Sequence, residues 1–291
     1  MAIPPEAPGK QTFGDLDVMV CRPIDLHPHD AILQICSRGL GSRCKKFIYA
    51  LPTTNIAITS DDSVAQVDVH IVPEEKIWGV DYWMHSWGDM GMIVSSMIRA
   101  WGLRLSASRG LWVDVPGLGI FELSLDMERI TLFLGLNWEI YTLGFQSQDD
   151  LFAWIDTIII NGRRIGVKKQ GKLEKGEHQN RPMWSAYWQR GTDETYSPSD
   201  EEKQAVFQQA LDFFGKRQEF EDTVALLERN RIAKEKFNGN RVSEWTGAEG
   251  RRLGILMKTL RADCRLSPAS VINISDEEIK SIVMESWRTL A

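Results

Sequence analysis

The hydrophobic period of this chain changes once, near Leu123, and that change limits what it can fold into. Before it, short apolar segments alternate or run together as strands do. After it, apolar residues recur at a spacing of about 3.6. The reading is therefore an α+β protein, with a mixed β-sheet domain over 1–122 followed by an all-helical domain over 123–291. In the first part, 15–21 (DLDVMVC) alternates and then becomes continuously apolar, as a half-buried strand would. Segments 46–50, 54–59, 103–105 and 111–115 read as short strands. Segment 67–72 (VDVHIV) alternates strictly and stops at Pro73, which lacks a backbone donor. Helical spacing is expected at 31–38 and at 92–101, the latter ending before Gly102. In the second part, 127–136, 150–159 and 200–236 read as helices, the last two opened by Ser147 and Ser199. A final helix after Ser275 runs to about Leu290.

Composition bears on partners more than on fold. The chain has 291 residues, 43% apolar and 25% charged, enough to bury a real core. No run approaches the ~18 uninterrupted apolar residues of a membrane helix, and residues 1–10 show no signal-peptide core. An intracellular protein, cytoplasmic or nuclear and with no membrane partner, is the expectation. Cys21, Cys36, Cys44 and Cys264 form no CxxC pair, which argues for reduced structural thiols. A net charge of −6 requires any nucleic-acid surface to be local. The one strongly basic stretch, 161–182, carries Arg163, Arg164, Lys168, Lys169 and Lys172 among several glycines. It reads either as a solvated loop or as a contact to a phosphate backbone.

Two carboxylates at i and i+2 on a strand share a face, and Asp15 and Asp17 are so placed, just after Gly14. They offer hard oxygen ligands of the kind Mg²⁺ takes. Asp68 alternates with His70 on another strand and completes a three-carboxylate cluster if the two strands are neighbours. Spacing alone leaves open a solvated strand face with a separate surface aspartate.

Three segments in order resemble the palm of the family X DNA polymerases, the polymerase β group of nucleotidyltransferases. GDLDVMV at 14–20 resembles their G-D-hydrophobic-D-V strand. VDVHIVP at 67–73 resembles their second carboxylate strand, with His70 where an arginine is usual. WMHSWGD at 83–89, a helix, and then WGL at 101–103 follow the order of their aromatic, T-G-S, helix and K-G segments. The likeness covers about residues 8–118, with a short phage-type entry in which no Gly-Ser pair precedes Gly14. A weaker likeness to the helical bodies of CCA-adding and poly(A)-type enzymes lies in the glycine-spaced stretch 237–254.

The resemblance implies transfer of a nucleoside monophosphate from an NTP to a hydroxyl, a nucleic-acid 3′ end first among acceptors, by two Mg²⁺ or Mn²⁺ ions. It implies that Asp15, Asp17 and Asp68 are the catalytic metal ligands. Gly14, Lys10, His85, Trp87 and Gly88 would contact the nucleotide. Arg163, Arg164, Lys168, Lys169 and Lys172 would contact RNA or DNA. The other reading keeps the fold in a catalytically silent protein that binds nucleic acid or another partner.

Overall fold

The computed structural model describes residues 1–11, 14–21, 34, 38–39, 41, 44–50, 53–60, 63–165, 181–191 and 196–290. The helix expected at 31–38 lies for the most part outside them. The chain divides into two compact units, Met1–Lys216 and Arg217–Ala291.

The first unit holds a four-stranded sheet of β1 (Asp15–Cys21), β2 (Cys44–Ala50), β3 (Thr53–Ser60) and β4 (Ser63–Val72), in the order β1-β4-β3-β2. β1 and β4 run parallel, whereas β4, β3 and β2 are antiparallel neighbours. Alternation divides the sheet's residues between two faces. On one, Ile56, Val69 and Ile71 form an apolar cluster with Val20, Ile58 and Val67. On the other, Met19 and Val72 pack with Ile77, Trp78, Tyr82 and Leu125, while the same face carries Asp15, Asp17 and Asp68 nearer the strand starts. That face is thus apolar at one end and acidic at the other.

Helix α1 (Trp78–His85) follows β4, and α2 (Met90–Arg99) follows a tight turn. β5 (Leu103–Ser106), β6 (Gly110–Val115) and β7 (Gly119–Ser124) form an antiparallel meander. Then come α3 (Met127–Phe133), α4 (Trp138–Leu143), α5 (Gln148–Ile155), the short pair β8 (Ile159–Ile160) and β9 (Arg163–Arg164), α6 (Pro182–Gln189) and α7 (Asp200–Phe214). Ser147 and Ser199 close reciprocal capping boxes with Asp150 and Glu202, satisfying amides that open a helix without partners. Val80, Trp83, Ile93, Ile98, Leu111 and Ile130 are fully buried and fill the core between these elements.

Several boundaries differ from the sequence reading. β7 stands where the helical period was expected to begin, and α3 stops at Phe133. The charged segment 200–236 is two helices, α7 and α8 (Arg217–Lys236), separated at Gly215, whose left-handed φ of 69° ends α7. α1 was not anticipated. The change of period near Leu123 falls inside the first unit.

The second unit is wholly helical: α8, α9 (Gly239–Thr246), α10 (Gly250–Ala262), the four-residue α11 (Pro268–Val271) and α12 (Asp276–Leu290). Val242, Leu256, Leu260, Val271, Ile279 and Val283 form its core. The Lys236 ammonium donates to the carbonyls of Ile274 and Ile272 at 2.8 and 3.3 Å, satisfying oxygens beyond α11. The glycine-spaced stretch 237–254 holds α9, the start of α10 and the turn between them, with Gly247 in the left-handed region at the end of α9.

Candidate active site

The parallel pairing of β1 with β4 puts Asp17 directly opposite Asp68, and Asp15 opposite Gln66. Side chains of paired residues share a face, so Asp15, Asp17 and Asp68 project from one side of the sheet. The Gln66 amide donates to Asp68 Oδ1 at 2.9 Å. Burial raises the Asp17 carboxyl above its ordinary range, and the charges of Asp15, Asp68 and Glu6 add to the rise, against a smaller pull from His85. Such mutual repulsion is what a bound cation relieves. The ligand oxygens of the three are not gathered within 4.8 Å of one another, although carboxylate oxygen is the donor that Mg²⁺ or Mn²⁺ takes.

Asp17 lines a cleft of about 810 Å³ together with Lys10, His85, Gly88, Arg181 and Met183. One wall is the N-terminal segment. Ala2 pairs with Met19 along the free edge of β1, and the Trp87 amide donates to the Pro5 carbonyl. Gly88 has φ +66°, and a Cβ there would stand 2.8 Å from that of Ala7. Glycine is thus needed at 88 for the close approach of this segment.

The expected nucleotide contacts separate on this geometry. Lys10, His85 and Gly88 reach the cleft with Asp17. Lys10 lies 2.7 Å from Glu6, an ion pair on the same wall. Gly14 instead borders a second depression of about 340 Å³ with Asn55, Val64 and Gln66. Trp87, at φ +60°, turns its ring edge-on to Phe145 at 5.2 Å and closes over Gly144. Of the expected nucleic-acid contacts, Arg163 sits over the Tyr196 ring at 4.3 Å, and Arg164 Nε donates to the Asp156 carbonyl at 2.6 Å. Lys168, Lys169 and Lys172 lie outside the described residues.

Two features of the site escaped the sequence reading. First, Asp81 on α1 is buried and faces both His70 and His85. His70 Nε2 lies 3.0 and 3.1 Å from the two carboxylate oxygens. His85 Nδ1 lies 3.0 Å from Asp81 Oδ1 and 2.9 Å from the Asp81 carbonyl. Burial works to raise the Asp81 carboxyl, but the hydrogen bonds from the two imidazoles outweigh it and hold it below its ordinary value. The same hydrogen bond to Asp81 raises the His85 imidazole, against burial. The one available signal was histidine in place of arginine at position 70, together with an acid in an otherwise apolar helix.

Second, Asp89 is 7% exposed and turned to α6. It takes 2.8 Å and 3.1 Å hydrogen bonds from the Arg181 guanidinium and the Trp184 amide. It therefore satisfies a first-turn amide of α6 and fixes the cleft wall that carries Arg181.

No family model matches this chain, and no curated protein matches it in sequence. Among the described residues no helix is long and apolar enough to cross a membrane. Among solved structures, the chain is similar to polymerase β of Leishmania infantum. The ternary gap complex matches at 13% identity and a TM-score of 0.26, over 52% of this chain and 56% of that one. The ternary P/T complex matches at 14% identity and a TM-score of 0.27, over 52% of this chain and 62% of that one. The chain thus spans less than two thirds of the length of either polymerase chain.

Proposed function

We propose that the protein is a metal-dependent nucleotidyltransferase that moves a nucleoside monophosphate from an NTP to a hydroxyl, with a nucleic-acid 3′ end as the first acceptor to test. The observation that carries this reading is the register of β1 and β4, which sets Asp17 against Asp68 with Asp15 on the same face, beside a cleft large enough for a nucleotide. Asp15, Asp17 and Asp68 would hold two divalent ions. When bound, these supply charge neutralisation at the phosphates and a lowered pKa at the attacking hydroxyl. Asp68, steadied by the Gln66 amide, would orient the acceptor hydroxyl. The chain's remaining task is positioning, because phosphoryl transfer needs little covalent help from protein. Lys10 and Arg181 on the cleft walls, now paired with Glu6 and Asp89, would turn to the triphosphate. The basic stretch 161–182 would take the acceptor's backbone.

Incubation with each labelled NTP, Mg²⁺ or Mn²⁺, and pooled RNA, DNA and small hydroxyl acceptors tests this. Label should transfer, and Asp17→Asn or Asp68→Asn should lower the rate by about 10²–10³-fold, since stabilisation by a metal ion is worth several kcal/mol. Transfer that survives Asp68→Asn would remove the role given to that residue. Tight RNA or DNA binding with no transfer from any NTP would leave the silent binding protein as the reading.

A further inference from the structure

We propose that His70, Asp81 and His85 form a second metal site, selective for a divalent ion of the zinc–cobalt class and separate from the three-carboxylate cluster. One donor atom of each residue lies within 4.8 Å of the others. The three come from two elements, His70 from β4 and Asp81 and His85 from α1, so the fold itself brings them together. The i, i+4 spacing of Asp81 and His85 puts both on one face of the helix.

The surroundings favour a cation over a simple polar contact. The Asp81 side chain is 4% exposed, and its ion pairs are both with imidazoles rather than with Lys or Arg. A buried carboxylate needs compensating charge, and a divalent ion supplies it without requiring either histidine to be charged. The two imidazole rings lie with centroids 4.4 Å apart, turned to the same carboxylate. Contacts of 3.0–3.1 Å between donor atoms are those of a set closed on its own hydrogen bonds. Tetrahedral ligands about 2.0–2.1 Å from an ion stand about 3.3–3.4 Å apart, so each histidine's contact with Asp81 need open by only a few tenths of an ångström. The His85 side chain is 39% exposed and borders the cleft, which gives an entry path and leaves a coordination position for water.

The donor chemistry separates this site from its neighbour. Two imidazole nitrogens and one carboxylate suit zinc, cobalt or nickel, whereas three carboxylates suit magnesium. An imidazole nitrogen ligates only when it carries no proton, so binding replaces each imidazole's hydrogen bond to Asp81, and a neutral ring keeps its one proton on the other nitrogen.

The probe is Co²⁺ alone, titrated into the full chain and followed by visible absorption, with Zn²⁺ and then excess Mg²⁺ as competitors. The expected result is one Co²⁺ with the intense d–d bands of four- or five-coordinate nitrogen–oxygen ligation, displaced by Zn²⁺ but not by Mg²⁺. His85→Gln and His70→Gln should each weaken it about tenfold or more, and Asp68→Asn should leave it in place. His85→Gln alters the most exposed ligand, and circular dichroism checks that each variant is folded. No bound Co²⁺, or a weak octahedral spectrum that Mg²⁺ or Asp68→Asn abolishes, would overturn the second site. NTP transfer is measured separately, so either proposal can fail while the other stands.

Discussion

Burial and the charges of Asp15, Asp68 and Glu6 act together on Asp17, and this makes a prediction about stability as well as about metal binding. Its carboxyl is raised in the folded protein, so at neutral pH its ionised form works against folding. Asp17→Asn should therefore raise the melting temperature of the metal-free protein. The side chain is partly in water, which screens the effect to about 0.5 kcal/mol, or about 1–2 °C in a unit of this size. The sign follows from linkage. The penalty is complete above the raised folded pKa and fades as pH falls from there to the lower unfolded value, so the gap between variant and parent should close on acidification. Added Mg²⁺ should close it from the other side by stabilising the parent. Scanning calorimetry in chelator, across pH, measures this; a lower melting temperature for Asp17→Asn at neutral pH would contradict a carboxyl raised by burial and its acidic neighbours. Much of this was legible in the residues themselves, because a spacing of two on a strand puts Asp15 and Asp17 on one face. Their pairing with Asp68 was not, since strand neighbours some fifty positions apart are settled by the sheet and not by local pattern. Asp81 was hidden for another reason: α1 is short, with apolar residues around most of its circumference, so no helical stripe marked it.

Among the elements, the β5–β6–β7 meander shows where local pattern lost to backbone geometry. GIFELS alternates as a strand should, yet its last two residues, Leu123 and Ser124, fall where the helical spacing is expected to begin. What holds β7 in register is a close approach: Gly110, at φ +62°, opens β6, and a Cβ there would lie 2.2 Å from the Ser124 carbonyl oxygen. Gly110→Ala combines a left-handed backbone with a direct clash, and should destabilise the protein by about 2–4 kcal/mol. Gly117, at φ +80° with nothing within 4 Å, is the control. Gly117→Ala meets only the backbone penalty, about 1–2 kcal/mol. Urea denaturation of the two variants compares them, and equal midpoints would show that the contact with Ser124 does not hold the meander. The capping boxes at Ser147 and Ser199 were legible because their signal lies within four residues. The break at Gly215 was less so, because a glycine inside a charged helical pattern ends the helix only when the chain turns there.

At the scale of the molecule, the acidic face, the cleft and the two imidazoles all belong to the first unit. Asp89 with Arg181, and Tyr187 with Met97, tie its strand-rich and helical parts together. The change from strand to helix near Leu123 is therefore a change of local structure within one body. The second unit has a core of its own, with Val242, Leu256, Leu260, Ile279 and Val283 fully buried, and Lys236 and Arg241 anchored to groups of the same unit. A body of this size sits near the lower limit at which one core is sufficient. Expressed alone, residues 217–291 should show helical circular dichroism and a single cooperative thermal transition, at a modest temperature. Leu260→Ala leaves a cavity worth about 2–5 kcal/mol, comparable with the whole stability of so small a core, and should leave the fragment unfolded at room temperature. The same substitution in the full chain, with Trp245 and Trp287 of the second unit replaced by Phe, should not abolish the folded signal of the first unit, on which the buried Trp83 and Trp101 then report. A fragment that is helical but melts without a cooperative transition would mean that this core is completed only by the rest of the chain. Loss of both signals together in full-length Leu260→Ala would mean that the two units fold as one.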